Sequence, residues 1–187
     1  MMTAAEDQER LDRARAQALC FVQAEAGFAQ VTTIDRGGLP VCRTMSAFLA
    51  PDWSVDLIQR RQHHRVAQLR RDPRVLVTWV GAPAEGSVND RPHVFDLGVL
   101  VPRVVFVRGW AEPLTEHQTW QRYAAHTAEL RGRGNTRAPQ RNRAEVGEQL
   151  MGLRVRLARV RLEGFGHAAE AFDWDCQPTP RPNEAGS

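Results

Sequence analysis

Apolar and polar positions alternate in short segments along the first half of the chain, a pattern typical of half-buried β-strands. Three segments come first, at Phe28–Ile34, Val41–Leu49 and Val55–Ile58, and a fourth follows at Val75–Val80. A Gly-Gly pair and a Pro-Asp pair separate the first three, as tight turns require. The pattern predicts a short basic helix, about Gln62–Arg71, between the third and fourth strands.

Helical periodicity predicts three further helices. Thr3–Ala26 carries one apolar stripe, formed by Leu11, Ala14, Ala18, Phe21 and Val22, and would cover a barrel opening or pack on the sheet. A second helix begins after Thr115, a suitable N-cap, and runs to about Arg131. A short third helix is predicted at Arg143–Met151.

The second half of the chain adds strands at Arg103–Ala111 and Leu153–Leu162, the latter with a one-residue slip at Ala158. The loop over 81–102 is either a lid or an extended hairpin, with uncertain strands at His93–Leu97 and Val99–Val101. The basic segment 132–142 is either a linker or a flap over a substrate. These elements predict one mainly β domain with flanking helices over 1–176, followed by a disordered tail, 177–187.

The composition indicates a globular protein and argues against a membrane protein. The chain has 187 residues, and 42% of them are hydrophobic, which suits a globular domain with a real core. No apolar run approaches the ~20 residues of a membrane span, and the polar start does not resemble a secretory signal. We therefore expect a cytoplasmic protein. Its three cysteines are widely spaced, which indicates neither a zinc site nor a disulfide framework.

All 25 basic residues are arginines, although the net charge is only +3. No motif supports nucleic-acid binding. Arg43 lies in a predicted strand, and Arg60, Arg61 and Arg65 lie where a strand gives way to a helix. Such a step exposes backbone N–H groups that attract anions such as phosphate. The spacing alone fits a solvated basic helix face equally well.

The stretch Gly27–Val80 resembles the cofactor-binding half of the split β-barrel family of pyridoxamine 5′-phosphate oxidase-like proteins. The family pattern is a "GxxATxxxDGxPxxRxxS" hairpin, a basic step, and a helix ending in "NLxxDPRV". The matching residues are Gly27-Phe28-Ala29, Thr32, Asp35, Gly38-Leu39-Pro40, Arg43-Thr44-Met45-Ser46 and Gln68-Leu69-Arg70-Arg71-Asp72-Pro73-Arg74-Val75. The resemblance implies a split β-barrel of the flavin-reductase type.

The resemblance further implies a homodimer that binds FMN at its interface and acts as an oxidoreductase on a small molecule. No residue of the chain is expected to act as an acid or base, and no metal site is expected. Arg43 would lie near the cofactor phosphate, and Met45 and Ser46 near the ring. The full set of expected cofactor-binding residues is Arg43, Thr44, Met45, Ser46, Gln59, Arg60, His64, Arg65 and Trp79.

The chain departs from the family pattern at two places. Gln59-Arg60 stands where hydroxyl residues are usual, and the Arg-x-His substrate motif of true pyridoxamine-phosphate oxidases is absent. The deazaflavin F420 is therefore an alternative to FMN. A non-catalytic module that binds haem or flavin is a second alternative, with candidate haem ligands at His63, His64, His93 and His167. A split barrel whose pocket has decayed is a third.

Overall fold

The computed structural model describes residues 3–88, 100–132, 134–137, 139–166 and 171–176. Within these ranges, eight antiparallel strands form one curled sheet, ordered β2-β1-β5-β6-β7-β4-β3, and β8 pairs with the far half of β7. Their bounds are β1 Ala29–Ile34, β2 Pro40–Met45, β3 Phe48–Leu49, β4 Val55–Arg60, β5 Arg74–Gly81, β6 Arg103–Pro113, β7 Leu150–Glu163 and β8 Ala171–Asp175.

Four helices flank the sheet in the described part of the chain: α1 Ala4–Ala24, α2 His64–Arg71, α3 Glu116–Gly132 and α4 Arg143–Gln149. Helix α1 begins with a capping box, in which Thr3 and Glu6 bond each other's backbone N–H groups. Its apolar stripe reaches the core through Phe21, whose ring packs on Phe165 at 5.7 Å. Gly81 leaves room for that ring, because a Cβ there would lie 2.3 Å from it.

The core lies on one face of the sheet, where β-branched residues of neighbouring strands stand side by side. Val31, Val77, Val107 and Val160 are successive cross-strand partners on β1, β5, β6 and β7, and each is at most 1% exposed. Side chains of directly paired residues share a face of the sheet, so this row fixes which face points inward. Arg43 is the partner of Val31 on the edge strand β2.

The predicted Val41–Leu49 strand is in fact two strands, and that prediction was wrong at Ser46 and Ala47. Strand β2 pairs with β1 at one end of the sheet order, whereas β3 pairs with β4 at the other. The chain must leave one edge and join the opposite one, so a continuous ladder is impossible there. This crossing curls the sheet into a barrel.

Two further differences concern the second half of the chain. The sequence did not predict β8, and Leu150 and Met151 begin β7 instead of ending α4. The slip at Ala158 is confirmed, because β7 skips this residue between the pairs Arg108–Arg159 and Gly109–Leu157. The predicted strand at His93–Leu97, the residue Val99 and the tail 177–187 lie outside the described residues, whereas Leu100 and Val101 are not in a strand.

Candidate functional site

Arg43 lies where the core face of the sheet meets helix α2. Its backbone continues the row of buried valines through its pairing with Val31, so its side chain is on the core face. Because β2 is an edge strand, the guanidinium remains half-buried instead of sealed in the barrel. The edge strand therefore brings a cation to the rim of an apolar core.

Arg65 comes to the same place from α2, one residue before the buried Val66. Its guanidinium donates a hydrogen bond to the sulfur of Met45, which is two residues beyond Arg43 and on the same face of β2. Its Nε is buried and has no hydrogen-bond partner among the described residues. A thioether is a weak hydrogen-bond acceptor, so the guanidinium of Arg65 lacks an acceptor of matching strength.

Gln68 ties α2 to the sheet beside these arginines. Its Oε1 accepts from the hydroxyl of Thr33 at 3.1 Å and from Nη1 of Arg43 at 3.3 Å. Gln68 follows Arg65 by three residues, so both side chains leave the same side of the helix. Gln68 and Thr33 are not among the site residues predicted from the sequence, although helical spacing from Arg65 points to Gln68.

The two arginines form a positively charged pair that we call the Arg43–Arg65 cluster. Among the described residues, neither guanidinium has a carboxylate partner in a salt bridge or hydrogen bond. Burial lowers the pKa of Arg65 from its ordinary value, and the like charge of Arg43 lowers it further. An anion bound between them would relieve both effects.

The N-terminus of α2 adds to this positive potential. The N-cap residue His63 makes no side-chain capping bond, and the first turn holds no acidic residue. A helix N-terminus attracts anions through its free N–H groups and its dipole. His64 is exposed at this end of the helix, one residue before Arg65.

A groove of about 750 Å³ begins at Ser46, the residue after Met45. It runs between the end of α1, the β2–β3 connection and α3. Phe48 forms part of its wall, with His126 edge-on at 4.6 Å and Arg122 over its ring at 5.5 Å. Phe28, which is 66% exposed, borders it on the other side. Aromatic rings in the wall of a groove can hold a planar ligand.

The remaining predicted site residues do not contact the cluster. Thr44 is exposed on the opposite face of β2, and Arg60 is exposed at the end of β4. Gln59 is 5% exposed on the core side of β4, and within the described ranges both polar atoms of its amide lack partners. Trp79 is 0% exposed in the core, and its indole N–H also lacks a partner among the described residues. The structure thus brings together Arg43, Met45 and Arg65.

Histidines and acidic residues are the side chains that would hold a metal ion or a haem iron. No group of three His, Cys, Asp or Glu residues is arranged to hold a metal ion in the described ranges. Of the candidate haem ligands, His63 and His64 are exposed, and His93 and His167 lie outside the described residues. None of the described helices is both long and apolar enough to cross a membrane.

The architecture is that of the split β-barrel proteins, and comparison with solved structures shows this fold directly. A haem-binding protein from Mycobacterium smegmatis matches with a TM-score of 0.57 and 17% identity, over 86% of this chain and 57% of that one. A protein described as a candidate pyridoxamine 5′-phosphate oxidase from Listeria innocua matches with a TM-score of 0.55 and 11% identity, over 80% and 98%. The present chain thus spans little more than half of the mycobacterial protein.

A third solved structure of the same fold is general stress protein 26 from Bacillus anthracis. It matches with a TM-score of 0.51 and 12% identity, over 86% of this chain and 98% of that one. No protein-family model and no curated protein matches the sequence. The predicted split-barrel fold is confirmed, and identities this low show the fold alone.

Proposed function

We propose that the chain binds FMN through the Arg43–Arg65 cluster and acts as a flavin-dependent oxidoreductase on a small molecule. The main support for this proposal is that two half-buried arginines, near enough for the charge of Arg43 to act on Arg65, have no carboxylate partner among the described residues. A phosphate with two negative charges is the ligand that best neutralises such a pair.

The residues present fit the phosphate end of the cofactor. The unpaired Nε of Arg65 supplies a free donor, and the uncapped start of α2 supplies further positive potential. Ser46 follows Met45 in the chain and lines the 750 Å³ groove, which would receive the ring. When bound, the flavin supplies the hydride chemistry. The chain's own residues hold the phosphate, exclude water and orient the ring.

Gln59 differs from the family pattern, so an experiment must decide whether the cofactor is FMN or F420. Gln59 stands where the family has a hydroxyl, so the residues that hold FMN in the family are not all present in this chain. F420 carries a phosphate too, and the cluster would serve it equally. The homodimer, the cytoplasmic location and the small-molecule substrate that the sequence predicts stay part of this proposal, and analytical ultracentrifugation tests the dimer.

Fluorescence titration tests the proposal with a matched pair of ligands. FMN and riboflavin differ only in the phosphate, so quenching of FMN but not of riboflavin is expected. Arg43→Gln should weaken FMN binding about tenfold, the order of magnitude of one charge-assisted hydrogen bond. The matched control is Arg36→Gln, which removes an exposed arginine from the β1–β2 turn. A parallel titration with F420 decides between the cofactors, and no response to either one refutes the proposal.

A haem-binding module is the second candidate, because a structural neighbour is named as a haem-binding protein. His64 is the candidate ligand on this chain, since it is exposed beside the cluster. Addition of haem would then give a Soret band that is lost in His64→Ala. The same titration without a Soret band removes this alternative.

A further inference from the structure

A second cavity, which we call the α2–α3 cleft, opens on the other side of helix α2. It has a volume of about 510 Å³ and lies between α2, the end of β6, the start of α3 and the start of β7. Its walls are mainly apolar and include Val66, Leu69, Leu114, Met151 and Leu153. Small-molecule sites in proteins are concave, mostly apolar and about 300–1,000 Å³ in volume.

The walls of this cleft are fixed by the fold. Leu69 and Leu153 are 4% and 3% exposed and belong to the barrel core. Leu114 is held by the hydrogen bond from its N–H to the carbonyl of Gly152, at 2.9 Å. Across the opening, the N–H of Ala111 bonds the carbonyl of Pro73 at 2.8 Å. The cavity is therefore preformed, which lowers the entropic cost of binding.

The rim of the cleft is positively charged. Arg61 is held in place, with Nε donating to the carbonyl of Gly147 at 3.0 Å and Nη2 at 3.9 Å from Oε1 of Glu116. Arg70 is exposed on the rim and pairs with no carboxylate among the described residues. Two guanidinium groups thus face one carboxylate, which leaves one positive charge for a ligand to neutralise.

A buried amide stands beside the cleft wall. Gln59 on β4 is the cross-strand partner of Met151 on β7, so the two side chains are neighbours on the same face of the sheet. Met151 lines the cleft. Gln59 is 5% exposed, and neither polar atom of its amide has a partner among the described residues. Unpaired buried polar groups are rare, and a ligand is one explanation for them.

We propose that the α2–α3 cleft is a second small-molecule site, which takes a ligand with an apolar body and one carboxylate. The apolar walls hold the body, and Arg70 pairs with the carboxylate at the rim. This site is separate from the Arg43–Arg65 cluster, because α2 presents Arg65 and Gln68 to β2 and β1 but Val66, Leu69 and Arg70 to the cleft.

Methionine methyl NMR tests the site, because the four methionines of the chain are well placed as reporters. Met151 lines the cleft, Met45 contacts Arg65, and Met1 and Met2 are terminal. Octanoate is the probe, and octanol, which has the same chain without the charge, is the matched control. We expect octanoate to shift the Met151 methyl resonance in a saturable way and to leave that of Met45 unchanged. The Met151 signal is assigned with Met151→Leu.

Arg70→Gln should weaken octanoate binding about tenfold, as expected for the loss of one ion-paired hydrogen bond. Arg36→Gln, with the same change of charge on the β1–β2 turn, should bind octanoate normally. Equal binding of octanol and octanoate, an unchanged Met151 signal, or normal binding by Arg70→Gln would each overturn the proposal. This proposal is tested separately from FMN binding. Titration of the same sample with FMN is followed by the Met45 methyl resonance, so one proposal can fail while the other holds.

Discussion

Arg65 donates its hydrogen bond to the sulfur of Met45, which lies two residues beyond Arg43 on the same face of β2, and the charge of Arg43 acts on Arg65. A soft, neutral acceptor satisfies an arginine poorly in a half-buried position. In the free protein, this contact holds the cation in place without neutralising it. The unneutralised arginine therefore lowers the stability of the ligand-free fold and leaves a strong hydrogen-bond donor for an anionic ligand. Such a cost in stability is common at functional sites.

The first prediction concerns the stability of the ligand-free protein. Arg65→Met removes one of two neighbouring like charges and keeps an unbranched apolar stem, so it should raise the free energy of unfolding, by about 1 kcal/mol or less. The same variant should lose FMN binding. Urea denaturation and fluorescence titration measure the two effects. If Arg65→Met is instead markedly less stable, the guanidinium has a structural role.

The second prediction concerns the attachment of α3 to the barrel. Asp56 is buried on β4, and its oxygens accept hydrogen bonds from Arg154 at 2.8 and 3.0 Å and from Nε of Arg122 at 3.0 Å. Asp56→Asn removes a shared ionic acceptor and should lower the free energy of unfolding by about 3 kcal/mol. Urea unfolding followed by circular dichroism measures the loss.

The control for Asp56 is an ion pair at the surface. Asp72 and Arg74 are bonded at 2.6 Å, but the side chain of Arg74 is 68% exposed, so solvent screens the pair. Asp72→Asn should therefore cost clearly less than Asp56→Asn. Equal decreases in the free energy of unfolding would show that the burial of Asp56 does not strengthen its ion pairs.

The third prediction concerns acid stability. Hydrogen bonds from the guanidinium of Arg74 lower the pKa of Asp72 to about 2. A carboxyl whose pKa is lower in the folded state stabilises the fold above its unfolded pKa of about 4, and the contribution disappears as the pH falls through 2. The stability difference between the wild type and Asp72→Asn should thus shrink between pH 5 and pH 2. A difference that grows over that range would contradict this assignment.

The fourth prediction concerns the bulge in β7. A Cβ on Gly109 would lie 1.9 Å from the carbonyl oxygen of Arg156, which is two residues before the skipped residue Ala158. Gly109→Ala should therefore destabilise the fold by about 3 kcal/mol, at the upper end of the usual cost of overpacking. Gly132→Ala is the control, because nothing lies within 4 Å of the added Cβ. Thermal unfolding that is equal in the two variants would contradict the predicted clash.

The sequence predicted those strands in which apolar and polar residues alternate. It also predicted the slip at Ala158, because the apolar residues move from one face of the strand to the other at that position. The sequence did not predict β8, since Ala171–Asp175 is acidic and gains its partners from distant arginines. Asp173, for example, bonds Arg159 through both carboxylate oxygens. Nor did the sequence predict the break at Ser46, because only the sheet order requires the chain to cross between edges.

The candidate site was predicted in part. Spacing placed Arg43 and Met45 on one face of a strand, which the pairing of β2 with β1 confirms. Their meeting with Arg65 depends on how α2 folds back over the sheet, and only the resemblance to known proteins suggested it. Gln68 shows the same limit, because its bonds to Thr33 and Arg43 join positions 35 and 25 residues away.

Titration with FMN and with riboflavin, followed through the Met45 methyl resonance, tests the phosphate-binding role of the Arg43–Arg65 cluster most directly. Met45 contacts Arg65, so it reports on the cluster itself. If the cluster holds the cofactor phosphate, FMN shifts this resonance in a saturable way that inorganic phosphate competes with, and riboflavin does not. A Met45 resonance that FMN leaves unchanged, or that riboflavin shifts equally, would contradict the claim.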